Sequence, residues 1–217
     1  MSRGEEDIEI RREVKKSLVG RTSNQVDSPL PEAKLDGEIE TVNLLKKLRE
    51  AIAHLSQDNK KCFGPDERLK PWSFWHPSLS VTFFYRFARA FDLAGWTPLA
   101  RLITAFGRFF NKCDIHYRAN IEPGVLFPHG LGVVIGEGVS IQKGCSIFQH
   151  CSLGSAEGKT GSPTLEEGVN LYPGTVVAGP LTIGEYARVG PNVYLTGSVP
   201  NHTRILPPQA FQKPNTP

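Results

Sequence analysis

Residues 165–199 read LEEGVNLYPGTVVAGPLTIGEYARVGPNVYLTGSV, and their spacing decides the fold. Large aliphatic side chains recur every six residues, at Leu165, Leu171, Val177, Ile183, Val189 and Leu195. Four residues after each of them comes a small or aliphatic residue, in the series Val169, Thr175, Leu181, Ala187, Val193 and Val199. A period of six excludes an α-helix, whose faces repeat every 3.6 residues. It is typical of stacked coils of short strands joined by tight bends, which form a parallel β-helix.

The same rhythm extends upstream. The large positions there are Ile115, Ile121, Phe127, Ile135, Ile141, Ile147 and Leu153. Three faces of six residues make a coil of 18, so residues 115–200 should hold between four and five coils. Cys145 and Cys151 occupy small positions of the series, which predicts buried core thiols rather than reactive ones.

Two segments break the rhythm. The first lies between Phe127 and Ile135, where a slip of two residues occurs and His129 stands among glycines. The second is GSAEGKTGSP, residues 154–163, which is polar and glycine-rich and should leave the coil as an excursion. Irregular segments on a regular scaffold are a common place for function, so both are candidate site elements.

The chain is helical in pattern before about residue 112. The patterns predict a charged helix over 5–19, a linker over 21–37, and helices over 38–57, 79–91 and 98–110. The apolar face of the 38–57 helix comprises Ile39, Val42, Leu45, Leu48, Ile52 and Leu55. The predicted organisation is a variable segment 1–62, a helical region 63–112, a β-helix domain 113–205 and a tail 206–217. The fold class is therefore mainly β, with an α-helical region ahead of the solenoid.

The helix over 79–91 carries an aromatic stripe of Phe83, Phe87 and Phe91. Such a stripe suits either a membrane-surface face or packing against a neighbouring helix or subunit. We favour packing, because the polar faces carry few lysines; peripheral membrane contact is the alternative.

Composition bounds the function. The chain of 217 residues has 25 Lys and Arg against 22 Asp and Glu, a slight excess that argues against nucleic-acid binding. No apolar run reaches the roughly 18 residues that a membrane span needs. The N-terminus MSRGEEDIEIRREVKK lacks the apolar core of a secretion signal, so we expect a cytoplasmic location with reduced thiols. The four cysteines lack metal-ligand spacing, and no metal is expected.

Residues 113–154, CDIHYRANIEPGVLFPHGLGVVIGEGVSIQKGCSIFQHCSLG, resemble the core of the serine acetyltransferase branch of the hexapeptide-repeat acyltransferases. The most specific elements are Asp114-Ile115-His116, HGLGVVIGE over 129–137, and Gln149 before SLG. Tyr85-Arg86 and Pro98-Leu99-Ala100 extend the resemblance into the helical region. The resemblance implies a left-handed parallel β-helix, a homotrimer, and transfer of an acetyl group from acetyl-CoA to a hydroxyl.

The resemblance assigns His129 as the general base. A neutral imidazole can take the hydroxyl proton as attack proceeds, which contributes typically about 10²–10⁴-fold. A packed or solvent-exposed histidine without a role is the alternative. The family has an aspartate at the position of Asp114 that orients the imidazole, although Asp114 could instead cap the first coil. His116 is expected to be structural.

The resemblance also suggests ligand contacts. Glu137 and His150 are candidate acceptor-binding residues, with a plain surface histidine as the alternative for His150. Backbone groups expected along CoA belong to Gly154, Ser155, Gly174, Ala178 and Gly179. Lys159 and Arg204 are candidate partners of its phosphates, or else ordinary solvated charges.

The acceptor is argued from departures. Serine-specific members have an aspartate where this chain has Pro128, and Arg-His-Pro where it has Gly161-Ser162-Pro163. Without these charged groups a zwitterion is poorly matched, so we expect a sugar or polysaccharide acceptor. The alternatives are a serine O-acetyltransferase with an altered pocket and a non-catalytic β-helix scaffold. The helical region is a candidate for joining trimers into hexamers. The tail ILPPQAF also departs from the family, which affects the terminal CoA contacts.

Overall fold

The computed structural model places a helical region ahead of a parallel β-helix. It describes Arg12 and residues 32–207, without the side chains of 32–36, 38 and 39. The helices are α1 (Glu32–Phe63), a 3-10 helix (Pro71–Trp75), α2 (Pro77–Leu93) and α3 (Thr97–Asn111). This architecture confirms the predicted fold class. The helix predicted over 5–19 lies outside the described residues apart from Arg12.

Short strands build the solenoid. They are β1 (Asp114–Ile115), β2 (Asn120–Ile121), β3 (Val134–Ile135), β4 (Ser140–Ile141), β5 (Ser146–Ile147), β6 (Ser152–Gly154), β7 (Thr164–Leu165), β8 (Asn170–Leu171), β9 (Val176–Ala178), β10 (Thr182–Ile183), β11 (Arg188–Val189), β12 (Tyr194–Leu195) and β13 (Arg204–Ile205). Sheet 1 has the order β1-β3-β6-β9-β12, sheet 2 the order β10-β7-β4-β2 and sheet 3 the order β13-β11-β8-β5. All pairings are parallel, and each strand stacks on its equivalent in the next coil.

The register of sheet 1 measures each coil. The pairs are Asp114 with Val134, Val134 with Ser152, Ser152 with Val176 and Val176 with Tyr194, so the steps are 20, 18, 24 and 18 residues. The step of 20 confirms the two-residue slip, and the step of 24 contains the predicted excursion. A third irregularity, absent from the sequence prediction, is the step of 16 between Arg188 and Arg204 in sheet 3.

The predicted inward positions form the core. Leu165, Leu171, Val177, Ile183 and Val189 are fully buried, as are the small positions Cys145 and Cys151. The first residue of each strand faces outward and the second inward, which is the alternation that a strand imposes. Residues six apart lie on successive faces of the coil and all point into one continuous apolar core.

A buried ion pair fastens the helical region to the first coil. Asp58 of α1 lies 3.1 Å from the Nε of Arg86 on α2, and both side chains are almost fully buried. The Arg86 guanidinium also donates to the carbonyls of Ile121 and Glu122, while Asp58 accepts a 2.7 Å hydrogen bond from the backbone N–H of Gly124. These contacts set the position of the helices on the solenoid.

Helix α1 differs from the prediction in two ways. It begins at Glu32, so residues 32–37 are helical and not part of a linker. Its predicted apolar face is only partly used, because Leu55 is buried whereas Val42, Leu45 and Ile52 are 37%, 50% and 51% exposed. The helix packs on α2 through a neighbouring face that includes Ala51, Leu55 and Asp58.

The aromatic stripe of α2 packs, as predicted. The Phe83 ring lies 5.0 Å from Phe74 and 4.7 Å from Phe87. Phe91 packs against the cluster of Ala88, Ala100 and Tyr117.

Candidate active site

The two extra residues of the first long coil form an additional corner. Turns at residues 128–129 and 131–132 precede β3. His129 is exposed with a φ of +58°, in the left-handed region that histidine enters more readily than most residues. Gly130 is buried, and a Cβ there would lie 3.1 Å from Val81 of α2. Glycine thus lets the corner sit against α2 while His129 points to solvent.

His129 differs from the other left-handed residues. Among the described residues, those with positive φ that are not glycine are Lys112, His129, His150, Tyr186, Asn192 and His202. All except His129 stand two residues ahead of a strand: Lys112 as the C-cap of α3, and the other four at regular corners of the solenoid. His129 stands five residues ahead of β3, so the insertion alone creates its position. Backbone in sparsely populated regions is often retained for function.

His150 lies beside this corner. Its backbone N–H donates a 2.9 Å hydrogen bond to the carbonyl of Leu131. Its ring covers Gly132, because a Cβ at that glycine would collide with the imidazole. The Oε1 of Gln149 is buried without a hydrogen-bond partner in the described part of the chain. A buried oxygen without a hydrogen-bond donor needs an explanation. Gln149 directly precedes His150, the candidate residue for binding the acceptor substrate.

Asp114 and His129 do not form the predicted dyad in the single chain. The Oδ1 of Asp114 accepts a 2.8 Å hydrogen bond from Arg108 Nη2 in an exposed ion pair. No hydrogen bond joins the side chains of Asp114 and His129 in the described structure. The pairing with Arg108 was missed because an arginine six residues earlier, at the end of a helix, carries no sequence signal for this contact.

Glu137 and His116 meet at Arg118. The Oε1 of Glu137 lies 3.5 Å from Arg118 Nη1, and its backbone carbonyl accepts a 2.7 Å hydrogen bond from Ser162 of the excursion. The Nδ1 of His116 accepts from the Arg118 backbone N–H, and its ring stacks on Tyr117 at 4.5 Å. These contacts agree with the structural role predicted for His116.

Part of the predicted CoA set comes together at the end of two sheet 1 strands. Gly154 pairs with Ala178, and the Gly179 N–H donates a 2.9 Å hydrogen bond to the Gly154 carbonyl. The Lys159 side chain reaches back over Gly179, where a Cβ would lie 3.3 Å from its Cδ. Ser155 is exposed and follows Gly154 directly. The excursion therefore folds over this strand edge.

Gly174 and Arg204 lie elsewhere. Gly174 occupies a regular corner ahead of β9, beneath the carboxamide of Asn192. Arg204 pairs with Arg188 in sheet 3, and both line a surface cleft with Tyr172. Arg188 was missed, because the short last coil hides its alignment with Arg204.

The inward cysteines are unsuited to chemistry. Burial raises the pKa of the Cys145 thiol to about 12 and that of Cys151 to about 11. A thiol that stays protonated is a poor nucleophile, which agrees with the predicted core role. Within residues 32–207, no group of three or more His, Cys, Asp or Glu is placed to hold a metal ion. No helix in this range is long and apolar enough to cross a membrane.

The chain is similar to curated serine acetyltransferases. It is 31% identical over 127 residues to the enzyme of Helicobacter pylori strain J99, a match that covers 58% of this chain and 74% of that protein. The chain belongs to the serine acetyltransferase family. A second relative, from Bacillus pumilus, is 32% identical over 133 residues, covering 60% of this chain and 61% of its own length.

The coverage differs among members of this family. A plasmid-encoded relative from Synechococcus elongatus is 32% identical over 138 residues, and the match spans only 43% of its length. The first relatives are thus matched over roughly half of their length, between 43% and 61%. No family model matches the chain.

Solved structures of the family share the fold. The serine acetyltransferase of Brucella abortus strain S19 superposes with a TM-score of 0.68 at 20% identity, covering 82% of this chain and 73% of that one. A serine acetyltransferase in complex with CoA superposes with a TM-score of 0.67 at 19% identity, covering 92% and 97%. These matches confirm the predicted left-handed β-helix with an N-terminal helical region.

Proposed function

We propose that this chain transfers the acetyl group of acetyl-CoA to the hydroxyl of serine. The observation that carries the proposal is the inserted corner, which presents His129 to solvent at a position that no regular coil provides. The curated relatives described above all bear the name serine acetyltransferase. The solved neighbours include complexes with CoA and with cysteine.

His129 acts as the general base in this proposal. The acceptor oxygen attacks the thioester carbonyl carbon while the neutral imidazole takes its proton. The new C–O bond forms, the C–S bond breaks, and the departing CoA sulfur takes the proton from the imidazolium. His129 suits this role because its ring is exposed and free of side-chain hydrogen bonds in the described structure.

Asp114 has a proposed positioning role. A carboxylate on the far nitrogen would select the tautomer and stabilise the imidazolium. The Asp114 carboxylate must leave Arg108 to do so, and this pair is exposed, so separating it costs only about 0–1 kcal/mol. Substrate binding or subunit assembly is the step at which we expect this exchange.

The open edge beside the excursion suits an extended ligand. A Cβ built on Gly154 meets nothing within 4 Å, so the backbone of β6 is accessible there. Ser155 beside it is exposed, whereas Ala178 and Gly179 are buried under the excursion, whose Lys159 supplies a cation for a phosphate. We assign the pantetheine arm of CoA to this edge. Gly174 and Arg204, which lie apart from it, remain candidates for contacts across a subunit boundary.

A sugar acceptor is the second candidate. The uncharged residues of the predicted pocket favour it, whereas the similarity to serine acetyltransferases favours serine. The observation that supports a sugar acceptor is the absence of charged side chains at Pro128 and at Gly161-Ser162-Pro163. The excursion carrying this second segment is hydrogen-bonded to Glu137 through Ser162, so its neutral residues lie near a candidate acceptor contact.

The acceptor is tested with the purified full chain and acetyl-CoA. L-serine is compared with nucleotide sugars and oligosaccharides, with CoA release followed by a thiol reagent and products by mass spectrometry. Saturable formation of O-acetylserine supports the proposal. Turnover of sugars without serine selects the second candidate. Absence of turnover with every acceptor contradicts both and favours a non-catalytic scaffold.

A further inference from the structure

Helix α3 exposes an apolar strip. Leu102, Phe106, Phe109 and Phe110 are 53%, 51%, 67% and 64% exposed. Their spacing of four, three and one residues puts them on one side of the helix. The opposite side carries Ala100 and Gly107, which are buried. Gly107 packs so tightly that a Cβ would lie 2.8 Å from Phe84, so α2 fixes which way the strip faces.

One flank of the strip is cationic. Arg101 and Arg108 are seven residues apart, which places them on a common side of α3, and Lys112 caps the C-terminal end of the helix; all three are exposed. Residues 93–113 contain no Asp or Glu. Of the cations in residues 68–113, Lys70, Arg86 and Arg108 pair with Glu67, Asp58 and Asp114. Arg101 and Lys112 are exposed and take part in no ion pair among the described residues, so they supply the positive charge beside the strip.

Contacting aromatic rings continue the strip towards the 3-10 helix. The ring pairs are Phe110 with Phe84 at 6.0 Å, Phe84 with Phe83 at 5.4 Å, and Phe83 with Phe74 at 5.0 Å. Trp72 and Trp75 flank Phe74 and are 66% and 89% exposed. Exposed tryptophan is characteristic of surfaces that sit in the headgroup layer of a bilayer.

We propose that α3 and the 3-10 helix form a membrane-docking surface for anionic phospholipid bilayers. An amphipathic helix with aromatic residues on one side and Lys and Arg beside them binds in the interface plane and does not cross it. A second copy is a poorer match, since a two-fold contact would bring Arg101 and Lys112 of both copies together. An anionic bilayer matches both features, because its acyl region accepts the apolar strip and its headgroups attract the cations. This inference is independent of the proposed acetyl transfer.

Vesicle flotation of the full chain tests the proposal. We expect the protein to float with vesicles of equal parts phosphatidylglycerol and phosphatidylcholine, and much less with phosphatidylcholine alone or at high salt. Replacing three strip residues together, Phe106→Ser, Phe109→Ser and Phe110→Ser, should weaken binding by about tenfold or more. The matched control is Leu45→Ser with Ile52→Ser, which changes equally exposed apolar residues on α1 and should leave flotation unchanged.

A charge variant keeps the test valid if the triple variant does not fold. Arg101→Gln with Lys112→Gln should reduce flotation and its salt dependence, whereas Lys60→Gln with Lys61→Gln on α1 should not. Absence of flotation at low salt contradicts the proposal. The proposal is also contradicted if the two control variants, Leu45→Ser with Ile52→Ser and Lys60→Gln with Lys61→Gln, lose as much flotation as the strip and charge variants. A lower oligomer mass in the strip variants with unchanged flotation would assign the strip to a second copy and overturn it.

Discussion

At the scale of single residues, the position of His129 depends on two extra residues. Histidine also stands at two regular corners, His150 and His202, with almost the same backbone angle. Left-handed geometry alone therefore does not distinguish the candidate base. Its distinction is that the inserted turn carries it away from the regular column of corners, where its side chain is exposed.

The buried cysteines provide a residue-scale prediction. Ellman's reagent at pH 8 should leave Cys145 and Cys151 unmodified in the folded protein and react first with the half-buried Cys62. Burial favours the protonated thiols, so their contribution to stability is complete below the ordinary thiol pKa and is lost as pH rises towards about 11 and 12. Equal reaction rates of all four thiols in native protein would contradict this arrangement.

At the scale of elements, the solenoid could be predicted because the spacing of its buried side chains fixes the register. A one-residue shift would turn each inward Ile, Leu or Val to solvent, so the period survives in the sequence. The short last coil could not be predicted in the same way. Six residues after Leu195, the next regular large position would hold Asn201. The last coil is shorter than a regular one, so Val199 is buried in the core and Ile205 packs against it.

The helical region was less predictable. Asp58 resembles an ordinary solvated charge on a helix, and nothing local indicates that it meets Arg86 28 residues later. The apolar spacing of α1 correctly indicates a helix, but it does not indicate which apolar residues α2 will cover. For the same reason the pairing of Asp114 with Arg108 became visible only in the structure.

The buried pair gives an element-scale prediction. Asp58→Asn leaves the Arg86 charge buried without its partner, which should cost about 3–5 kcal/mol of unfolding free energy in urea denaturation. The control is Glu167→Gln, since its pair with Lys143 is solvent-exposed and should contribute only about 0–1 kcal/mol. Similar losses in both variants would show that Asp58 does not fasten the helices to the solenoid.

One corner column gives a second prediction at this scale. Gly124 and Gly168 both have positive φ, so alanine at either should cost about 1–2 kcal/mol. A Cβ at Gly168 would also lie 2.5 Å from the Tyr186 ring, whereas one at Gly124 meets nothing within 4 Å. Gly168→Ala should therefore be the more destabilising variant by about 1 kcal/mol or more in thermal or urea unfolding. Equal losses would contradict the stacking of Tyr186 on this corner.

At the scale of the whole molecule, the proposed site residues are not all brought together in the described part of one chain. There, no carboxylate is hydrogen-bonded to the His129 side chain, the Oε1 of Gln149 has no hydrogen-bond partner, and Arg204 lies apart from the other candidate CoA contacts. We expect assembly of several chains to supply the contacts that the single chain does not show.

The resemblance to hexapeptide-repeat acyltransferases predicts a homotrimer. Light scattering on the full chain should give about 72 kDa, three times the chain mass of 23.9 kDa. Twice that mass would indicate a hexamer joined through the helical region, which retains the trimer. A monodisperse monomer with full acetyl-transfer activity would contradict a shared site.

The assignment of His129 as the general base is tested by comparing two histidines with the same backbone conformation. His129→Asn removes the imidazole but keeps a residue that accepts positive φ, and His202→Asn makes the same change at a regular corner. In CoA-release assays with acetyl-CoA and L-serine, His129→Asn should lower kcat by about 10²–10⁴-fold while His202→Asn leaves it unchanged. An active enzyme whose kcat is the same in both variants would contradict the assignment of His129 as the general base.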